Sequence, residues 1–238
     1  MQFVPEIVKG DSLFEEIVGL ITKYQPKTIL EIGSANGLGS TQAIIQGIKK
    51  NNIDDQCQVY CIEACIDRFY SLMENTAEYK YINCINASSL SVDEYMMPNK
   101  IKYFMARKKL HFNIHKNYTE DTVLKWREDE IHNVVKSMIP QNGIYQAYQY
   151  NAGNLFDMVI IDGSAFTAMA EVRQLFGSKL IILDDVLDIK SWEPTCNLLI
   201  SNCYKVINKN DNYRNGFIAF ELHEKLASSV FFKYKLCA

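Results

Sequence analysis

Three aspartates carry the most pointed chemistry in this chain. Asp162 ends the apolar run Phe156-Asp-Met-Val-Ile-Ile, and Asp184 and Asp185 end Lys179-Leu-Ile-Ile-Leu. Such runs read as buried strands of a parallel sheet, and ligands of these sheets bind beyond the carboxyl ends of the strands. Three carboxylates at neighbouring strand ends suit a hard divalent ion such as Mg²⁺, which keeps waters and accepts a substrate oxygen. A hydroxyl held by that ion would lose its proton more readily. In a metal-free alternative one aspartate acts as a base or holds a cofactor. In the plainest alternative one acid of the pair caps the helix that follows. Glu31, next to last in one earlier apolar stretch, and Glu63, at the end of another, join them, so five acids are expected near one sheet edge: Glu31, Glu63, Asp162, Asp184 and Asp185.

The elements that must position these acids alternate in the order strand, helix, strand. Thr28–Ile32 is expected as a central strand, and Gly33, Gly37 and Gly39 turn the chain into a helix that begins at Ser40. Glycines here let the backbone approach a ligand, and the loop N–H groups can face its polar parts. The spacing is Gly-x3-Gly-x-Gly, which differs from the Gly-x-Gly-x2-Gly of dinucleotide-binding folds. Gln58–Glu63 forms the next strand, and Glu63 at its end can accept hydrogen bonds from both ribose hydroxyls of an adenosine cofactor. A solvated strand-end carboxylate is the competing account.

Further elements follow the same alternation. Ahead of the first strand, Asp11 or Ser12 can cap a helix with Leu13, Ile17, Leu20 and Ile21 on one face. Asp67–Glu78 reads as a helix and Tyr81–Asn86 as a third strand. Residues 90–150 break the alternation and are too long for an ordinary connection. They are expected to be a helical insertion that sets substrate specificity, with helices over Met105–His115 and Glu120–Met138. His111 and His115 would share one helix face, and Arg107, Lys108 and Lys109 could hold an anion or simply be solvated. After the strands ending in Asp162 and Asp184, separated by a helix over Phe166–Phe176, a helix over Ser191–Ser201 precedes a hairpin of Tyr204–Ile207 and Asn215–Glu221. The whole chain, 1–238, is therefore expected to be one α/β domain.

Glu31, two residues before Gly33, together with the glycine spacing, resembles the first motif of class I S-adenosylmethionine-dependent methyltransferases. That resemblance implies a Rossmann-like, mostly parallel seven-stranded sheet with a reversed last strand. It also implies a cofactor held by Glu31, Gly33, Ser34, Asn36, Gly37, Gly39 and Glu63, with Ala87 and Ser88 at the adenine and Asp162 nearby. Phe156–Thr167 and Leu183-Asp-Asp-Val186 look like segments of metal-dependent O-methyltransferases of the catechol and macrolide-sugar (macrocin) types. In those enzymes an aspartate after strand four and an acidic pair after strand five hold Mg²⁺, which implies Asp162, Asp184 and Asp185 here. Ile161-Asp-Gly-Ser-x-Phe-Thr167 and the late Arg214-Asn-Gly216 are similar to bacterial methyltransferase domains associated with glycan genes. That likeness implies a sugar or glycan-precursor hydroxyl as acceptor. The resemblance covers residues 27–89 and 156–221. The chain departs from it at Ala165, where the catechol type has a lysine base. Lys190, His111 and His115 are the candidate replacements, beside Asp162 itself.

Composition narrows the partners. Charged residues make up 22% and the formal net charge is −3, so no global basic field invites nucleic acid. No apolar stretch reaches membrane-spanning length, and the N-terminus has no signal-peptide pattern. Seven cysteines, an odd number, suggest free thiols in a reducing compartment, hence the cytoplasm. Cys57, Cys61 and Cys65 lack metal-site spacing and read as structural. A small-molecule or saccharide substrate is expected, with a homo-oligomer left open. The competing accounts are a metal-independent methyltransferase and a non-catalytic domain that binds adenosine-type ligands.

Overall fold

The computed structural model describes residues 6–107 and 118–223. Seven strands form one sheet: β1 (Thr28–Ile32), β2 (Gln58–Glu63), β3 (Ile82–Asn86), β4 (Met158–Ile161), β5 (Leu180–Asp184), β6 (Tyr204–Asn210) and β7 (Phe217–Leu222). Their order is β3-β2-β1-β4-β5-β7-β6, and β7 alone runs against its neighbours. The expected mostly parallel sheet with a reversed last strand is therefore present. The order reverses between β1 and β4, which is where open α/β sheets leave a crevice.

Alternation along the strands builds two cores. Ile29, Val59, Cys61, Met158 and Ile160 face α1 (Ser12–Tyr24) and α2 (Ser40–Asn51). Leu30, Ile32, Val159 and Ile161 face the other way, where Ile144 and Ala147 of α6 (Gly143–Tyr150) and Val172 of α7 (Ala168–Gln174) cover them. The capping choice at α1 resolves to Asp11, whose carboxylate accepts the Phe14 N–H at 2.8 Å. Cys57 and Cys61 are buried in the first core, and burial pushes the Cys57 thiol up to about 12, as suits structural thiols.

Between β3 and β4 lie α4 (Pro98–Arg107), α5 (Glu120–Lys136) and α6. A helix already begins at Pro98, ahead of the expected start at Met105, because proline is favoured at a first helical position, where its missing N–H costs nothing. Beyond Arg107 the helix expected over Met105–His115 lies outside the described residues. Residues 108–117, including Lys108, Lys109, His111 and His115, lie outside the described residues. Arg107 stacks on the Tyr103 ring, 4.1 Å from its centroid. Helices α4 and α5 share a small core of their own, in which Tyr95, Ile101, Phe104, Met105 and Val123 meet Phe166 and Ile189. Helix α6, not anticipated from the sequence, packs directly on β2 and β3. The remaining helices are α3 (Ile66–Thr76) and α8 (Trp192–Ile200).

Candidate active site

A cleft of about 1140 Å³ runs along the carboxyl ends of the five parallel strands β3 to β5. Its floor is made by Gly33–Ala35, Glu63, Asn86–Ser89, Asp162–Ala165 and Asp185, and Lys190 closes one end. Glu130, Asn133 and Val134 of α5, with Ser137 just past its end, form the opposite wall.

The β1–α2 loop is shaped by close approach. Gly33 has φ +87°, and a side chain there would overlap the Asp162 carbonyl of the neighbouring strand. Gly37, at φ +77°, turns beneath Leu72 of α3. The loop then feeds α2, whose N-cap Gly39 supplies no side-chain hydrogen bond. Gly39 and Ser40 line the cleft, so the orphan first-turn N–H groups of α2 are at its edge. Asn36 and Gly37 do not line it. The Asn36 side chain accepts the Leu38 N–H at 3.2 Å, and Ser34 Oγ is buried beneath the loop beside Cys61.

Glu31 is placed differently from its expected role. Alternation turns it to the α2 face of the sheet, fully buried, where it accepts a 2.7 Å hydrogen bond from Thr41 Oγ1. It braces the junction of loop and helix from behind. Glu63, by contrast, borders the cleft. Its Oε2 accepts from the Ala35 N–H and its Oε1 from the Cys65 N–H, each at 2.8 Å. Each oxygen keeps a lone pair for a further donor. Burial raises the Glu63 carboxyl above its ordinary range, against the pull of those two N–H groups and Arg68. Beyond it, the Ala87 N–H binds the Glu63 carbonyl, while the Ser88 backbone pairs with Pro140 and Gly143. These bonds set Ala87 and Ser88 at the floor of the cleft.

At the other end the three aspartates do converge: one carboxylate oxygen from each of Asp162, Asp184 and Asp185 lies within 4.8 Å of the others. The backbone pays a local cost for this, because Asp185 adopts φ +54° while Val186 and Leu187 pair with Gly216 and Asn215. Two cations share the cluster. Lys190 Nζ donates to Asp162 Oδ1 at 2.5 Å and to Asp185 Oδ2 at 2.9 Å, and Arg214 pairs with Asp184 Oδ2. Asn215 donates to the other Asp185 oxygen at 3.0 Å. Burial alone would raise Asp185, yet Lys190, Asn215 and Arg214 outweigh it and hold its carboxyl low. Burial alone would lower Lys190, yet Asp162, Asp185 and Asp184 hold it firmly protonated. That state argues against Lys190 as a proton acceptor.

Sequence reasoning missed Glu130. Its carboxylate accepts from Ser164 Oγ, and burial raises it above its ordinary range against Ser164 and Lys190. The only sequence signal was its place within the insertion. Ala165, standing where the resemblance calls for lysine, packs with the α4–α5 core.

The donor set suits an adenosine cofactor: a strand-end carboxylate with spare lone pairs at Glu63, uncapped α2 N–H groups, and a glycine loop between them. It suits a divalent ion poorly as it stands. Four of the six carboxylate oxygens that could chelate it are engaged by Lys190, Arg214 and Asn215, and Asp184 does not line the cleft. Asp184 Oδ1 is buried without a partner.

No family model and no curated protein sequence matches the chain. Solved structures do. An O-methyltransferase from Bacillus cereus in complex with S-adenosylhomocysteine is similar at a TM-score of 0.53 and 13% identity, over 92% of this chain and 84% of that one. A methyltransferase from Podospora anserina bound to S-adenosylhomocysteine gives 0.51 and 12%, over 89% and 78%. A methyltransferase from Geobacter sulfurreducens gives 0.51 and 10%, over 91% and 81%. The fold is thus the Rossmann-like one these methyltransferases share.

Proposed function

We propose that the chain is an S-adenosylmethionine-dependent O-methyltransferase. The single observation that carries this is Glu63, held at the end of β2 by the Ala35 and Cys65 N–H groups with lone pairs free towards the cleft. The shared fold supports it, as does the complex of the Bacillus cereus O-methyltransferase with S-adenosylhomocysteine. S-adenosylmethionine supplies a methyl group on a sulfonium, open to in-line attack. Glu63 accepts the ribose hydroxyls, Ala87 and Ser88 border the adenine, and Gly33, Ser34 and Gly39 set the methionine end. Asn36, Gly37 and Glu31 shape that loop from outside the cleft.

The acceptor hydroxyl then belongs between Asp162, Lys190 and Glu130, at the far end of the same cleft. Glu130 takes its proton. Among the described residues its carboxylate has Ser164 as sole hydrogen-bond partner, and burial raises its affinity for a proton, as suits a base. Asp162 orients Lys190 and the acceptor, and most of the remaining barrier is a matter of positioning.

The finer reading takes a sugar or glycan-precursor hydroxyl as acceptor, on the Ile161–Thr167 and Arg214–Gly216 resemblance. It places the protein in the cytoplasm, alone or as a homo-oligomer. The sequence resemblance also favours Mg²⁺ at Asp162, Asp184 and Asp185, but the pairing of these acids speaks against it. His111 stays a proposed participant only through the sequence. The test is methyl transfer from labelled S-adenosylmethionine to a panel of sugars, nucleotide sugars and catechols, with and without chelator. Label on a hydroxyl oxygen supports the reading, and label only on nitrogen acceptors contradicts it.

A further inference from the structure

Lys190 is 6% exposed, yet its ammonium reaches the cleft between two strand ends. Burying an unpaired ammonium is costly, so its partners define its position. Those partners are Asp162 at the end of β4 and Asp185 after β5, at 2.5 and 2.9 Å. The third acid, Asp184, is 1% exposed and turned to Arg214, away from the cleft wall. Three carboxylates therefore meet two fixed cations, and the chain itself supplies most of the balancing charge.

We propose that Lys190 is the resident cation of the acceptor end, occupying between Asp162 and Asp185 the place a divalent ion would take, so that this centre binds no Mg²⁺ of its own. A chelated Mg²⁺ would sit about 2.0–2.1 Å from the same carboxylate oxygens. It would share them with an ammonium already paired to both Asp162 and Asp185, while Asp184 is held by Arg214. An ammonium has three N–H donors, two of which are spent on Asp162 and Asp185. The third is left for an acceptor oxygen, where Lys190 would favour the negative charge left when the hydroxyl gives its proton to Glu130, charge that is then spent in forming the new C–O bond as the sulfonium becomes a thioether. This last role rests on the methyltransferase reading, whereas the exclusion of the metal rests on the charge arrangement alone.

The test uses Mn²⁺ as the probe, titrated into the wild-type protein, Lys190→Met and Lys190→Ala, and followed by calorimetry and thermal unfolding. S-adenosylhomocysteine binding is measured on the same samples. The wild type should show no Mn²⁺ association below millimolar concentration and no shift in Tm. Removing the ammonium should tighten Mn²⁺ binding at least about tenfold, and Mn²⁺ should raise the Tm of the variants, because it pairs carboxylates left buried and uncompensated. Micromolar Mn²⁺ binding by the wild type, lost in Asp162→Asn, would overturn the proposal. Folded Lys190 variants that gain no affinity for Mn²⁺ would overturn it too. Should neither variant fold, the wild-type titration decides. Absence of S-adenosylhomocysteine binding would count against the methyltransferase reading and leave the Mn²⁺ results to judge Lys190.

Discussion

Glu63 is pulled in opposite directions by folding and by binding. Burial raises its carboxyl above the usual range, so the folded chain holds that proton more tightly than the unfolded chain does. For this group, stability is fully present below the ordinary carboxylate pKa and declines as pH rises through the raised value. Cofactor binding has the opposite sign, since ribose hydroxyls donate to the ionised form. Affinity for S-adenosylhomocysteine should fall as pH drops through that raised value, and calorimetry across mildly acidic pH will show it. Glu63→Gln should bind about tenfold more weakly at neutral pH and lose most of that dependence. Glu130 sets a separate expectation, because on the proposed reading it meets the acceptor and not the cofactor. Its neighbours in charge are Lys190, Tyr95 and Glu171. Glu130→Gln should lower the rate of transfer by at least about 10²-fold while leaving S-adenosylhomocysteine affinity within twofold. Equal loss of both would assign Glu130 to the cofactor instead. Glu63 was legible in the sequence because an apolar strand delivers its last side chain to a predictable edge. Glu130 was not, since nothing in a polar helix marks the one carboxylate that will face a cleft.

The elements are joined by a few buried polar bonds as well as by packing. Thr41 of α2 donates to Glu31 of β1, and both side chains are fully buried. Thr41→Val keeps the shape and removes the donor, leaving the carboxylate short of its partner. Denaturant unfolding should show a loss of about 1–3 kcal/mol, and a smaller loss would mean that Glu31 is solvated through another route. On the opposite face, Ser89 and Thr167 both donate to the buried Glu171, tying the end of β3 to the start of α7. The strands were readable from their apolar runs, and the reversed β7 was implied by the methyltransferase resemblance, with which the β6–β7 hairpin agrees. Helix α6 escaped notice because its polar and aromatic residues outnumber Ile144 and Ala147, the two that cover the sheet. Helix α4 starts ahead of Met105 because Pro98 opens it, at a first-turn position where its missing N–H costs nothing.

At the scale of the molecule, one sheet edge gathers residues separated by more than 150 positions. On the proposed reading the cofactor end is built by β1, β2 and β3, the acceptor end by β4, β5 and the helices inserted between β3 and β4. No helix among the described residues is long and apolar enough to cross a membrane. The convergence of Asp162, Asp184 and Asp185 could be anticipated from strand order alone. Their pairing could not, because it depends on the φ +54° turn at Asp185 and on the path that brings Lys190 and Arg214 back over the strand ends. The account as a whole stands on occupation of this cleft by an adenosine cofactor. Its most direct test is calorimetric titration of the folded protein with S-adenosylhomocysteine at neutral pH, with Glu63→Gln as the paired variant. Micromolar, one-to-one binding that weakens in the variant is the predicted result. A folded wild-type protein that takes up neither S-adenosylhomocysteine nor S-adenosylmethionine would contradict the account.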